Sequence, residues 1–270
     1  MKYYIYNKLA NNGIYPDFLK DIETIQAVGL DYRKFFDGLK SEDEVVFIGG
    51  DGTINHLVNE LKGYKIKNNV YIRANGTGND FLNDINAPLD KEVLINKYLN
   101  NLPKVKVNGI EKLYINNMGF GIDGYCCEEA DKIKAKTPNK KINYTAIAIK
   151  GLLVDFKPRH VKLEIDGQKY EYDNVWLAPT MKGRYYGGGM MVAPGQDRLS
   201  DKLTVVVYTC KSKIKSLAAF PSIFEGKHVL KTDMVKIYKG NKVHVEYDKP
   251  CAAQIDGETV LNVKEYWVEL

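Results

Sequence analysis

The chain has 270 residues, 44% of them hydrophobic and 27% charged, enough to bury one large core or two medium ones. A net charge of +5 is mild: it suits an anionic substrate or surface and falls short of the basic density of a nucleic-acid binder. Nineteen tyrosines against nine prolines exclude a disordered chain.

The four cysteines, Cys126, Cys127, Cys210 and Cys251, form no C-x-x-C pair and have no histidine at zinc-finger distance. That argues against a structural metal held by thiolates and for reduced thiols in a cytoplasmic protein. Met1–Tyr6 turns polar too soon for a signal peptide. No apolar run approaches the ~18 residues of a spanning helix, so any membrane contact is expected to be peripheral and transient.

Lys2–Tyr6 reads as a first strand, followed by the polar loop Asn7–Gly13, which can reach a nucleotide or simply face solvent. Phe18, Leu19, Ile22, Ile25, Phe35, Phe36 and Leu39 give residues 16–40 helical patterning. Val45–Ile48 is a short, β-branched and aromatic run suited to a strand covered on both faces. It leads through Gly49-Gly50-Asp51-Gly52-Thr53 into Ile54, Leu57, Val58 and Leu61, one stripe of an amphipathic helix. Glycines there let the backbone approach a ligand, and the positive end of the helix favours a phosphate. Strand–glycine–helix is also an ordinary connection, so the stretch alone is a weak signal.

A further strand, Val70–Arg73, runs into Gly76-Thr77-Gly78-Asn79-Asp80-Phe81, a second glycine loop at the carboxyl end of a strand, the edge where open α/β sheets bind ligands. Asp90 is expected to cap a helix reaching about Asn100. Strands alternating with helices predict a small parallel α/β domain over residues 1–108.

From 109 to 270 strands dominate and predict a β-sandwich. Leu113–Met118 reads as a strand ending in Gly119–Gly124, and a basic stretch follows from Glu128 to Lys141. Residues 143–155 read as a helix. Asp166-Gly167 between Val161–Ile165 and Lys169–Tyr172 is a hairpin signal. Leu203–Tyr208 is a strand, and Lys239-Gly240-Asn241 between Val235–Tyr238 and Val243–Tyr247 predicts a second hairpin.

Gly49–Thr53, Gly76–Phe81, Gly187-Gly188-Gly189-Met190 with Ala193-Pro194, and Asp256-Gly257-Glu258, in this order over nearly the whole chain, resemble the diacylglycerol kinase catalytic domain family, most of all its bacterial soluble members. NAD kinases and phosphofructokinases are similar at Gly49–Thr53 alone. The resemblance implies an NAD kinase-like α/β domain with a β-sandwich, its last residues packing back towards the first domain, and a nucleotide between the two. It implies ATP- and Mg²⁺-dependent phosphorylation of a lipid hydroxyl, diacylglycerol by default, at a membrane surface. Thr24, Gly49, Gly50, Asp51, Gly52, Thr53, Ile54, Asn55 and His56 would contact the nucleotide from one side, with Gly76, Thr77, Gly78, Asn79 and Asp80 closing the other. Phosphoryl transfer needs positioning and charge neutralisation above all, and Asp51 is the expected Mg²⁺ ligand. Asp80 can serve likewise or cap the next helix.

By the same resemblance Glu258 is the general base and Asp123 its acidic partner, a neighbour able to raise the base's pKa. A structural Mg²⁺ would sit on the Asp201 side chain and the carbonyls of Arg198 and Leu203. Lys132–Lys141 can dock on anionic headgroups or form a solvated helix face beside Glu128, Glu129 and Asp131. The chain departs from the family pattern at Asn7–Asn11, at His56 in place of a glutamate, at Asn83 in place of a frequent arginine and at Lys202 in place of a glycine. A kinase of a soluble substrate such as NAD, or a nucleotide- or lipid-binding module of weak activity, therefore stays open as an alternative.

Overall fold

Val45, Val46, Phe47 and Ile48 are all fully buried, as an uninterrupted apolar strand between two layers must be. The computed structural model describes every residue except 9–13, 77 and 138–141. The chain divides into two units, Met1–Leu102 and Pro103–Leu270.

The first unit is a five-stranded sheet of β1 (Lys2–Tyr6), β2 (Thr24–Gln26), β3 (Glu44–Gly49), β4 (Asn69–Ala74) and β5 (Val93–Leu94), in the order β2-β1-β3-β4-β5. All pairings are parallel except β4 with β5. Helices α1 (Tyr32–Asp37), α2 (Asp51–Glu60) and α3 (Asp80–Asp84) accompany it. α2 buries Ile54, Leu57 and Val58, the stripe visible in its sequence.

Two expected helices are strands instead. Residues 16–40 hold a 3₁₀ turn at Asp17–Leu19, then β2, then only the short α1. Thr24 and Ile25 are β-branched, Gly29 takes a φ of +82°, and the open edge of β1 offers ladder bonds that local helical periodicity cannot match. Residues 90–100 form β5 and a 3₁₀ turn because the far edge of β4 claims them. The N–H of Val70 donates to Asn96 Oδ1 and Asn96 Nδ2 donates to the Asn68 carbonyl, both at 2.8 Å, so one side chain serves as a strand neighbour.

The second unit is β-rich. Its strands are β6 (Lys104–Val107), β7 (Ile110–Leu113), β8 (Asn117–Phe120), β9 (Arg159–Ile165), β10 (Gln168–Leu177), β11 (Thr180–Met181), β12 (Tyr185–Tyr186), β13 (Met190–Met191), β14 (Leu203–Thr209), β15 (Val235–Gly240), β16 (Lys242–Ile255) and β17 (Glu258–Glu269). Among the described residues β12 and β13 pair only with each other. The rest run β7-β6-β17-β16-β8-β11-β14-β10-β9, with β15 on β14. The long β16 pairs with β8 near its end and with β9 near its start, so the ladder curls back on itself as a β-sandwich does. Inside lies a core of aliphatic side chains with Phe120, Tyr247 and Tyr266.

Helices α4 (Ile122–Lys136), α5 (Tyr144–Lys150) and α6 (Lys213–Ala219) cover a second cluster that includes Ile122, Leu152, Phe156, Trp176 and Ile223. The expected helix over 143–155 is α5, capped by Asn143, continued by one π turn over Gly151–Asp155. Leu113–Met118 is not one strand: β7 ends at Leu113 and β8 begins at Asn117.

The Asp166-Gly167 hairpin forms, with both residues at positive φ as a tight primed turn requires. The second expected hairpin does not. β15 pairs with β14, and β16 leaves towards β9 and β17. Gly240 marks this parting rather than a turn, since a Cβ there would lie 2.4 Å from Ile165 Cγ2. The Asp166 carboxylate receives the N–H groups of Asn241 and Lys242, at 3.0 and 2.8 Å, and fixes the new direction.

Candidate active site

In the first unit the two glycine loops leave the carboxyl ends of the paired strands β3 and β4, and the N–H of Asn75 donates to the Gly49 carbonyl at 2.8 Å. They meet backbone to backbone. A Cβ on Gly76 would lie 2.8 Å from Gly50 Cα, and one on Gly50 would lie 3.0 Å from Gly76 Cα, so no other residue fits at either position without displacing the loops. Asp51 locks the pair together: its Oδ2 and Oδ1 accept the N–H groups of Asp80 and Phe81 at 2.9 and 2.7 Å. Its orientation is set by the second loop.

The residue that caps α3 is Asn79, in the left-handed conformation, and Asp80 is the first residue of that helix. Asn79 Nδ2 and Asn83 Nδ2 donate to the carbonyls of Gly76 and Gly78, at 3.0 and 3.3 Å. Asn83, a departure from the family pattern, thus braces the loop. Thr77 lies outside the described residues. Asn7 reaches Thr53 Oγ1 through its amide at 3.4 Å, while residues 9–13 of its loop lie outside the described residues.

This end of α2 fits a phosphate. Gly52 has open space where a Cβ would stand, and the ten-residue α2 directs its N-terminal N–H groups and dipole there. Asn79 Oδ1 is buried with no hydrogen-bond partner among the described residues, an acceptor that a ligand hydroxyl or amine would satisfy. Thr53, Ile54 and Asn55 are buried behind the turn.

Two expected contacts lie elsewhere. His56 is exposed on the outer face of α2, edge-on to Tyr32 with centroids 5.4 Å apart, because the helix has rotated it away from the loop. Thr24 sits opposite Tyr4 in mid-sheet, two residues before the carboxyl edge of its strand.

In the second unit Asp123 occupies the first turn of α4 and is buried. Burial pushes its carboxyl up from 3.8 to about 6, against the lowering effect of the N–H of Gly124 at 3.0 Å and of Gln254 Nε2 at 3.4 Å. The helix can enter this close to the sheet because position 124 has no side chain: a Cβ there would meet the Ala252 carbonyl at 2.0 Å.

Gln254 also accepts the N–H of Gly257 at 2.8 Å, and so ties Asp123 to the turn that presents Glu258. That turn is anchored by Asp256, whose carboxylate receives the N–H groups of Ile115, Asn116 and Asn117 at 2.6, 2.8 and 3.0 Å. Glu258 itself is exposed and paired with Lys112 Nζ at 2.6 Å. Asp123 and Glu258 are therefore joined through Gln254 rather than in direct contact. Gln254 went unnoticed in the sequence, although a lone amide within the buried run Ala252–Ile255 was a usable signal. Nothing local marks Lys112.

The loop expected to hold a structural Mg²⁺ is closed by side chains. The buried Lys182 donates to the Ser200 carbonyl at 3.1 Å, and Gln196 Nε2 reaches the carbonyls of Asp197 and Lys202 at 3.0 and 2.9 Å. Arg198 contributes its guanidinium, which donates to the Ile115 carbonyl and Asn116 Oδ1. Asp201 is exposed, and Leu203 opens β14 opposite Gly240. These carbonyls, of Asp197, Ser200 and Lys202, flank the expected ligands Arg198, Asp201 and Leu203 and are held by protein donors. No cluster of three or more acidic, histidine or cysteine side chains suited to a metal occurs among the described residues.

The chain matches two family profiles. The diacylglycerol kinase catalytic domain covers residues 19–107, and the YegS C-terminal NAD kinase beta sandwich-like domain covers residues 116–265, more than half of the chain. It is 28% identical over 215 residues to a diacylglycerol kinase of Mycobacterium tuberculosis (strain H37Rv), covering 77% of this chain and 68% of that protein. A crystal structure of a diacylglycerol kinase from Bacillus anthracis superposes with a TM-score of 0.67 at 22% identity, covering 99% and 93% of the two chains. That likeness is one of fold.

Proposed function

Because the chain belongs to the diacylglycerol kinase catalytic domain family and is a kinase, we propose that it transfers the terminal phosphoryl group of ATP to a lipid hydroxyl, diacylglycerol being the first candidate. The observation that carries the nucleotide half is the contact between the two glycine loops, Gly50 against Gly76, locked by Asp51 at the N-terminus of α2. Backbone N–H groups there bind phosphate oxygens without needing a lysine. Mg²⁺ would neutralise phosphate charge, and Asp51, in the first turn of α2, is the carboxylate we assign to it.

To Glu258 we assign the proton of the lipid hydroxyl. It is exposed, held by Lys112 and presented by a turn anchored on three N–H groups through Asp256. Asp123 and Gln254 position that turn from beneath. The relatives named diacylglycerol kinases support the lipid as acceptor. No helix among the described residues is long and apolar enough to cross a membrane, in keeping with a substrate met from outside the bilayer.

The test is transfer from labelled ATP with Mg²⁺ to a panel of dispersed lipids, read in the organic extract, for the wild type and Glu258→Gln. Transfer to diacylglycerol, lowered at least ~100-fold in the variant, is expected for loss of a general base. Label appearing only in an aqueous product, or unchanged transfer by Glu258→Gln, would overturn the assignment.

A further inference from the structure

The turn that presents Glu258 is the tip of a hairpin. Ile255 of β16 lies opposite Glu258 of β17, and between them Asp256 and Gly257 take φ of +47° and +87°. The shape of such a two-residue tip comes from its own backbone, but its place comes from what it is tied to. Here it is tied to Ile115–Asn117, in the short link between β7 and β8. Asp256 receives the three N–H groups of these residues on its carboxylate and donates its own N–H to the Asn117 carbonyl at 3.0 Å.

The remaining carbonyls of the link are held by a different part of the chain. The N–H groups of Lys182 and Gly183 donate to the Asn116 carbonyl at 2.8 and 3.1 Å. Arg198 Nη1 donates to the Ile115 carbonyl, and its Nη2 donates to Asn116 Oδ1 at 2.7 Å. Every backbone N–H and carbonyl of Ile115–Asn117 is thus engaged. The rigid fork of a guanidinium suits this task, since it reaches a main-chain and a side-chain oxygen of adjacent residues together. Ile115, Asn116 and Arg198 are all buried, so removing the guanidinium leaves acceptors that water does not reach. Arg198 is itself fixed. Gln196 Nε2 donates to the carbonyls of Asp197 and Lys202 on either side of it, and Gln196 Oε1 accepts the Thr204 hydroxyl at 2.6 Å.

We propose, on the reading of Glu258 as the base, that Arg198 is a positioning residue for it, acting through Ile115–Asn117 and Asp256. Its part is geometric. A general base has to stand within hydrogen-bond reach of the proton it takes, and a displacement of about 1 Å caused from a distance costs up to ~100-fold. Loosening the Ile115 carbonyl and the Asn116 side chain frees the link, and the Asp256 carboxylate moves with the N–H groups it accepts.

The test compares Arg198→Met and Arg198→Lys, each alone and combined with Glu258→Gln, by lipid phosphorylation and by amide hydrogen exchange. The lysine variant keeps the charge and one donor, and so keeps the question answerable where the methionine variant does not fold. The expected result is a kcat lowered about 10–100-fold in Arg198→Met and less in Arg198→Lys, with KM for ATP within about twofold. In the Glu258→Gln background the further loss should be under about twofold, because a base already removed is not misplaced. Exchange at the N–H groups of Asn116, Asn117 and Gly257 should quicken about tenfold or more, while the amides of Val161–Ile165 keep their protection. An unchanged kcat, an equal loss with and without Glu258, or wild-type exchange at those three amides would overturn the proposal. Faster exchange confined to them in a protein inactive on every lipid would leave the tether standing and remove the proposed acceptor instead.

Discussion

Replacing Asp123 by Asn should make the protein more stable at neutral pH and less stable in acid. In the folded chain burial holds the carboxyl at about 6, against 3.8 when exposed. The gap corresponds to about 3 kcal/mol of unfavourable ionisation. The cost is absent below the unfolded value, because both states are protonated there. It grows as pH rises from about 4 to 6, where the unfolded chain releases its proton first, and it is fully present above 6.

An asparagine does not ionise and still accepts the N–H of Gly124. Its amide, however, would face the amide of Gln254, losing one long hydrogen bond worth about 1 kcal/mol. The variant should therefore gain about 2 kcal/mol over the wild type at pH 8, lose about 0.5 at pH 4, and match it near pH 4.5. Urea unfolding followed by tryptophan fluorescence reads this directly, since Trp176 and Trp267 both lie in the second unit. Parallel stability curves from pH 4 to 8 would refute the argument. So would a variant that is weaker at pH 8, which would make the ionised carboxylate an anchor.

Gly76→Ala should abolish ATP binding by calorimetry and cost about 1–3 kcal/mol, as overpacking does, because its methyl meets the backbone of Gly50. A variant that binds ATP normally would mean the loops part easily. His56→Ala should leave kcat within about twofold and cost only the edge contact with Tyr32, about 0.5–1.5 kcal/mol. A larger loss of activity would return the histidine to the nucleotide.

EDTA should not lower the thermal midpoint of the wild type, since Lys182 and Gln196 close the 196–203 loop. Burial and Arg198 lower the Lys182 ammonium to about 8 from 10.5. The folded chain thus loses that proton before the unfolded one, and wild-type stability should rise between those values relative to Lys182→Met. A midpoint that falls in EDTA would restore the metal.

What was legible in the sequence was local. A buried strand, a glycine turn and an amphipathic stripe are read within one window, and α2 with its loop formed accordingly. Pairing was not legible, because it is decided by distant edges. β2 and β5 looked helical until β1 and β4 offered unpaired ladders, and β15 abandoned the neighbour in sequence for β14. The same holds for the site. Asp51 and Asp123 stood out as motif acids, but the tasks they perform depend on the N–H of Phe81 and on Gln254, contacts that no spacing announces. Thr24 lies in mid-sheet and His56 on the outer face of α2 for one reason, that a motif position fixes neither strand depth nor the face of a helix.

The pairing of β6 with β17 has a consequence for synthesis. Lys106 lies opposite Trp267, about 160 positions later in the chain. At ~5–20 residues per second, β6 waits on the order of ten to thirty seconds for its neighbour to be made. During that interval its edge is open to other nascent chains. The charges of Lys104, Lys106, Glu111 and Lys112 on the β6–β7 hairpin are the kind that make such an edge a poor template. They guard the second unit until its ladder can close.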